Sequence, residues 1–511
     1  MMVVRKLQAL KAKLCMIFVF TLVLSVVPTF AQDALPFFTP VTGEITIGAT
    51  QAWTFSAGAG AFISVFVEAT TEGFDPFLQL LNSDSEEVIS NDDLYYPGNR
   101  NALLEGITIP RTGQYQVIVS GFAGSVGTYQ LTMTPGYSVV LARDSFDEIG
   151  NWQAQSDSLN VRVSGGELAL LLEGIGEVGI ASADAGSLPE DFYTEVRVSQ
   201  VTSRNLWIVG ITLRQTDDDY YVFAVDNRGQ WRFSLKSGGQ EQILRDWSTH
   251  PAIVAGQLPF TLGTLANGVG FDLFYNGALL GHINDETITT AGQIGLYVET
   301  EEAVGSQATV NFDDFAITQA LDINGVYVVP ERLITGDTTL TVQELERRHV
   351  IPAGGQLAFT IPESFVDSAI QGVAQQGLGR GVTFGNFVLE TTVTLTSSGG
   401  TAGCGLLLRS TEESNYMVAY LDSSGAYGIS ERRGDLFNPG LFYEGDGLDV
   451  LRPNRLLVIV QGDLLHYYVN NIYQGALTIE PVDGAVGNVL INFDLANSTC
   501  QFANTWLWFW E

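Results

Sequence analysis

Shifted against itself by 195 residues, the chain aligns Phe192, Glu195, Val198, Gly210, Leu213, Arg214, Thr216, Tyr221 and Ala224 with Phe387, Glu390, Val393, Gly405, Leu408, Arg409, Thr411, Tyr416 and Ala419. One folding unit has been used twice. The repeated positions are apolar, aromatic or turn-forming, and no acid pair, nucleophile or metal cluster is copied with them. The repeat therefore defines a scaffold, and it points to binding without naming a ligand.

At 511 residues the chain is long enough for about three domains, each able to bury its own core. Residues 1–31 have the form of a secretory signal: Arg5, Lys6, Lys11 and Lys13 precede an apolar run from Leu14 to Val27, and Pro28, Thr29 and Ala31 suit cleavage before Gln32. The alternative is an uncleaved anchor. No later stretch is long and apolar enough to span a bilayer. Cleavage would remove four basic residues and no acidic one, so the net charge of −33 would become more negative still. Such a surface repels phosphates, which excludes nucleic acid as the expected partner, and it could hold calcium on carboxylates. Cys404 and Cys500 would be the only cysteines of the exported chain. A disulfide between them suits an oxidising compartment, with two unpaired buried thiols as the alternative.

The patterning is that of strands throughout. Tyr115, Val117 and Val119 alternate with polar residues, as do Tyr129, Leu131 and Met133, and as do Trp231, Phe233 and Leu235 against Arg232, Ser234 and Lys236. Asn276-Gly277 and Asn470-Asn471 signal hairpin turns. The only helical signal lies near Val342 to Arg348, inside the least repeated stretch, Leu321 to Gly355. That stretch contains Val326 to Val329, Leu333 and Ile334, too apolar for a solvated tether, so the two copies are expected to pack closely or to share the intervening segment. The expected architecture is all-β: a small sandwich over 36–135, then two jelly-roll sandwiches over 138–319 and 321–511.

Segment 36–135 resembles the bacterial pre-peptidase C-terminal domain, through Trp53-Thr54-Phe55, Phe74-Asp75-Pro76-Phe77-Leu78-Gln79-Leu80, Asn91-Asp92-Asp93, Gly113-Gln114-Tyr115 and Gly127-Thr128-Tyr129-Gln130-Leu131. The resemblance implies an accessory role in secretion, attachment or substrate contact, in some members with calcium. The two repeats resemble concanavalin A-like lectin/glucanase sandwiches of the laminin-G-like kind. The first copy carries Phe146, Trp152, Asp191 to Glu195, Leu213-Arg214, Tyr220 through Trp231, Asn276-Gly277, Gly292 to Leu296 and Val310 to Phe315, and the second is a looser match. That superfamily includes lectins, adhesion modules and glucanases, so the fold does not choose among them.

Candidate chemistry is sparse. The glucanase arrangement ExDxxE is approached only by Glu444-Gly445-Asp446-Gly447-Leu448-Asp449, whose glycines disfavour a rigid strand. His250, His282, His349 and His466 have no metal-ligand spacing, and no GxSxG or HExxH occurs. For a sugar, aromatic faces beside a guanidinium are the physical requirement. Arg214, Tyr220, Tyr221 and Trp231 form one candidate set, and Arg409, Tyr416 and Tyr427 its echo; core packing is the alternative for both. Trp506, Trp508 and Trp510 line one face of a last strand, expected to be sheet core. Asp75, Asn91, Asp92 and Asp93 are the candidate calcium ligands, with Asp217, Asp218 and Asp219 as a second set. The expected function is exported, non-catalytic binding of a glycan or a cell-surface protein. A carbohydrate-active hydrolase or lyase and a structural envelope protein are the alternatives.

Overall fold

The structure, a computed structural model, describes residues 33–511 except 93, 95–98, 149, 151, 183–187, 204, 217–218, 301–305, 322–332, 334–336, 413–414, 435 and 444–447. The expected leader, Val326 to Val329 and Ile334 lie outside the described residues. The remainder is strands and short turns, with one α-helix.

Alternating side chains build the first sandwich. In Gly113–Gly121 the side chains of Tyr115, Val117 and Val119 turn inward, and Gly127–Pro135 does the same with Tyr129, Leu131 and Met133. A five-stranded and a four-stranded sheet close over this core. Its one buried indole is satisfied: Trp53 Nε1 donates to Tyr129 Oη at 2.9 Å, and that hydroxyl donates to Gln51 at 2.7 Å.

Two larger jelly-roll sandwiches follow, each with a back and a front sheet. In the second sandwich the back sheet runs Leu159–Val163, Leu168–Glu173, Gln307–Gln319, Phe192–Ser203, Phe260–Asn267, Gly270–Tyr275 and Ala278–Asn284, and Val139–Asp144 also pairs with 307–319. Its front sheet runs Gln153–Ala154, Val178–Ser182, Gln293–Thr300, Trp207–Thr216, Asp219–Asp226, Gln230–Ser237 and Gln240–Thr249. The third sandwich repeats this order. Its back sheet is Gln356–Ser368, Asn497–Trp510, Asn386–Ser398, Asn454–Gln461, Leu464–Val469 and Ile472–Thr478. Its front sheet is Gly372–Gly377, Gly484–Asn492, Ala402–Glu412, Asn415–Asp422, Tyr427–Arg433 and Leu436–Tyr443. The hairpins match as well: Asn276 and Asn470 both sit at positive φ, and their side chains accept the Thr261 and Arg455 amides at 2.8 Å.

Cys404 and Cys500 are bonded and join the front sheet of the third sandwich to its back sheet. By strand register they stand where the second sandwich buries Val209 and Val310.

The helix, α1, spans Thr338–Arg347 and starts at Asp337, whose carboxylate accepts the Leu340 amide at 3.1 Å. Val342 and Leu345, with Val350 and Ile351 beyond the helix, cover Val388, Leu457, Ile459, Tyr468 and Trp506 on the outer face of the third sandwich's back sheet. Trp508 and Trp510 pack at the edge of this cluster, whereas Leu507 and Phe509 face the sandwich core. The terminal tryptophans are therefore the seat of α1 rather than interior sheet core. On the second sandwich the corresponding face, with Tyr193, Leu265 and Phe274, is covered instead by Phe62 and Tyr137 from the first sandwich and its connector. Gly136 makes this approach feasible. Its φ is +72°, and a Cβ there would lie 2.3 Å from the Tyr193 ring.

Candidate ligand-binding face

Arg214 and Arg409, shared by the two copies, are structural clasps. Each sits at positive φ in a bulge where its strand changes register. Arg214 is fully buried, donates to the carbonyls of Ile288 and Glu190 at 2.9 Å each, and lies over the Phe271 ring. Arg409 donates likewise to the carbonyls of Glu480, Gly385 and Gly462. Neither guanidinium is available to a ligand. Gly292 and Gly484 explain the crowding, since a Cβ on either would come within 2.4 Å of the arginine backbone.

The bulge also corrects the 195-residue alignment. Leu213 pairs with Tyr221 and Thr216 with Asp219, whereas Leu408 pairs with Met417 and Glu412 with Asn415. The second copy holds one extra residue between these pairs, so beyond the bulge the shift is 196. With period-two side chains, one residue exchanges the faces of the sheet. Tyr221 corresponds to Met417, and both belong to the core clusters; Tyr220 corresponds to Tyr416, and both lie on the outer face of the front sheet. The candidate set thus divides between the faces. Tyr221 is fully buried, stacks on Phe233 and donates to Asp285 at 2.6 Å, and burial first, then Asp285, raises its phenol well above its ordinary range. Trp231 is core too. Tyr427, its counterpart, stacks on Tyr443 at 5.3 Å and packs against the core from the edge. Both sets treated as ligand-binding in the sequence therefore contain core residues, and only Tyr220 and Tyr416 lie on an outer face, where both are buried.

These outer front faces differ between copies. In the second sandwich Arg232 lies 4.9 Å over Trp247 and meets Glu299 at 3.1 Å, and Glu299 also accepts the Tyr297 hydroxyl at 2.7 Å. Aromatic, guanidinium and carboxylate engage one another there, although the Arg232 Nε is buried without a hydrogen-bond partner. In the third sandwich the outward positions of Tyr427–Arg433 are Gly428, Ser430 and Arg432, and Arg432 pairs with Tyr416 on one side and Phe437 on the other. Its guanidinium lies 5.6 Å over the Tyr416 ring and 5.5 Å over Phe437, and donates to the Tyr416 hydroxyl at 3.0 Å and the Gly434 carbonyl at 2.9 Å. Beside it opens a depression of about 290 Å³, lined by Thr411, Asn415, Tyr416, Arg432, Arg433 and Glu480 among others. Phe437, on the edge strand, is 49% exposed. Arg432 and Phe437 were absent from the candidate sets, although strict alternation from Tyr416 through its partner strand leads to both.

The described calcium candidates Asp75, Asn91 and Asp219 are held by partners within the protein. Asp75 is held by Arg100 at 3.0 Å, and the Asn91 amide donates to the Leu103 carbonyl at 2.8 Å. Asp219 accepts the Gly238 amide. Asp93, Asp217, Asp218, Glu444 and Asp446 lie outside the described residues, and among those described no group of three His, Cys, Asp or Glu side chains could hold a metal ion. His282 and His349 lie at the contacts of the second sandwich with α1 and the connector, while His466 shares a hydrogen bond with Tyr473.

Residues 49–121 match the family model of the bacterial pre-peptidase C-terminal domain. No curated protein matches the chain. Among solved structures, a carbohydrate-binding module from Bacillus subtilis is similar at 16% identity, over 34% of this chain and 98% of its own, with a TM-score of 0.26. A family 16 glycoside hydrolase endo-glucanase from Bacteroides ovatus is similar at 10% identity, over 35% of this chain and 100% of its own, with a TM-score of 0.29. The β-glucanase of Bacillus licheniformis is similar at 11% identity, over 36% and 98%, with a TM-score of 0.28. These are likenesses of fold alone.

Proposed function

We propose that this is an exported carbohydrate-binding protein of the laminin-G-like kind, and that its third sandwich holds the sugar on the outer front face around Tyr416, Arg432 and Phe437. The observation that carries this reading is the Arg432 guanidinium set between two aromatic rings at the wall of an open depression, with Asn415 and Thr411 beside it. The exposed ring of Phe437 would stack on the apolar face of a sugar, backed by the buried Tyr416, while guanidinium and amide groups read its hydroxyls. Binding without hydrolysis is favoured because the two carboxylates that line the depression, Glu431 and Glu480, are both engaged by Arg433, at 2.8 and 3.3 Å, whereas glycoside hydrolysis needs an acid and a base free to flank the bond. The first sandwich would serve as an accessory domain of the chain.

A glycan array with the chain from Gln32 onward tests the reading. Binding that is weakened about tenfold in Arg432→Ala and kept in Arg232→Ala is the expected result. Binding unaffected by Arg432→Ala would overturn the site, and polysaccharide turnover abolished by Glu431→Gln or Glu480→Gln would replace binding with hydrolysis. N-terminal sequencing of the exported protein, expected to begin at Gln32, tests the leader.

A further inference from the structure

Arg347, near the end of α1, touches two sandwiches while its helix sits on the third. Its Nε donates to Asp272 of the second sandwich at 2.6 Å, its Nη1 to Thr108 of the first at 2.9 Å, and its carbonyl accepts the Tyr137 hydroxyl at 2.7 Å. Asp272 also meets His282 at 2.8 Å, and Asn267 of the second sandwich donates to the Glu346 carbonyl. Around this point the acids outnumber their close cationic partners. Glu346 is buried facing His282 and Asp272. Glu105, from the first sandwich, accepts the Ser138 amide on one oxygen at 3.0 Å, and its other oxygen is buried without a hydrogen-bond partner. A buried carboxyl in such a setting is stable when it carries a proton and costly when it does not.

We propose that this three-way junction is a proton-operated latch: with Glu105 and Glu346 protonated it holds the three sandwiches as one body, and their ionisation loosens it. Burial raises both carboxyls to about 7, against the opposing influence of the Ser138 and Leu321 groups and Arg348 on Glu105, and of His282, Gly354 and Arg347 on Glu346. A carboxyl raised in the closed state contributes fully below its ordinary value near 4.5, and that contribution is lost as pH rises through about 7. His282 acts in the same sense. Burial pulls it down, but Asp272 and Glu346 raise it overall, so its contribution also fades at higher pH. Asp272 is opposed by burial yet held at about 2 by Arg347 and His282, so its contribution is lost only in strong acid. His349, bonded to Tyr137 and lowered by burial despite Asp191, works the other way and weakens the junction in acid. Arg348 pairs with Glu344 at 3.3 Å beneath the helix. The two raised carboxyls and His282 outweigh the one opposing histidine.

Small-angle scattering of the full chain between pH 5.5 and 8.5, with circular dichroism at each point, tests the latch. The expected result is a compact particle in mild acid whose radius of gyration grows as pH rises to about 7 and levels off above it, the closed-to-open ratio falling about tenfold per pH unit for each proton released over that rise, with the strand signal unchanged. Glu105→Gln with Glu346→Gln should stay compact at pH 8.5, and Arg347→Ala should be extended already at pH 5.5. A radius independent of pH in the unaltered chain, or an unchanged opening in the double variant, would sink the proposal. So would opening accompanied by loss of strand signal, because that is unfolding rather than release.

Discussion

The two jelly-roll sandwiches share strand order, an arginine clasp and a hairpin turn, yet they finish their back sheets in opposite ways. At the positions where the third sandwich presents Trp506, Trp508 and Trp510, the second presents Ala316, Thr318 and Ala320. Small residues leave room for a neighbouring domain: Thr318 accepts the Tyr137 amide at 3.0 Å, and Tyr193 packs on Phe62. Large indoles fill the same space and seat a single helix. The duplicated part is thus the interior, while the outer surfaces decide how each copy is joined, and the front faces follow the same rule. Arg232 is bonded to Glu299 on one copy, whereas Arg432 lies between aromatic rings beside an open depression on the other.

This comparison can be broken at several points. The largest effect is expected from Trp506→Ala, which removes a fully buried indole beneath α1 and should destabilise the third sandwich by about 4 kcal/mol. Denaturant unfolding followed separately for each sandwich checks it, and equal losses in the second would contradict the assignment of α1 to the third. Next, reducing Cys404–Cys500 or replacing both by alanine should cost about 3 kcal/mol in the third sandwich alone, the middle of the range for a native disulfide. Calorimetry should show one transition falling while the other stays. A smaller effect, about tenfold in affinity or ~1.4 kcal/mol, is expected for Arg432→Ala against any glycan found to bind, with no change for Arg232→Ala. Titration calorimetry reads both. The smallest is Phe437→Ala, with a loss of about threefold, because a half-exposed ring is removed while Tyr416 and Arg432 remain.

Much of the fold was legible along the chain. Alternation at Tyr115 to Val119, Tyr129 to Met133 and Trp231 to Leu235 marks strands because side chains two apart share a face, and Asn276 and Asn470 mark turns because they tolerate positive φ. The helix near Val342 was visible as well. The site was less legible. Grouping Tyr220 with Tyr221 joined the two faces of one sheet, and aligning Tyr221 with Tyr416 carried that error across the repeat. Arg214 looked like a ligand group because its burial depends on carbonyls of Glu190 and Ile288, which are far from it in sequence.

By itself the sequence determined the all-β composition, the duplication and the pairing partners of its hairpins, since each rests on local periodicity and turn chemistry. Only the tertiary structure decided that a one-residue difference in a bulge moves Tyr416 to the outer face, that the last tryptophans carry a helix, and that Arg347 meets two sandwiches. The physical reason is common to all three. Which face is covered depends on groups brought together from distant parts of the chain, and period-two alternation says which residues share a face without saying what lies upon it.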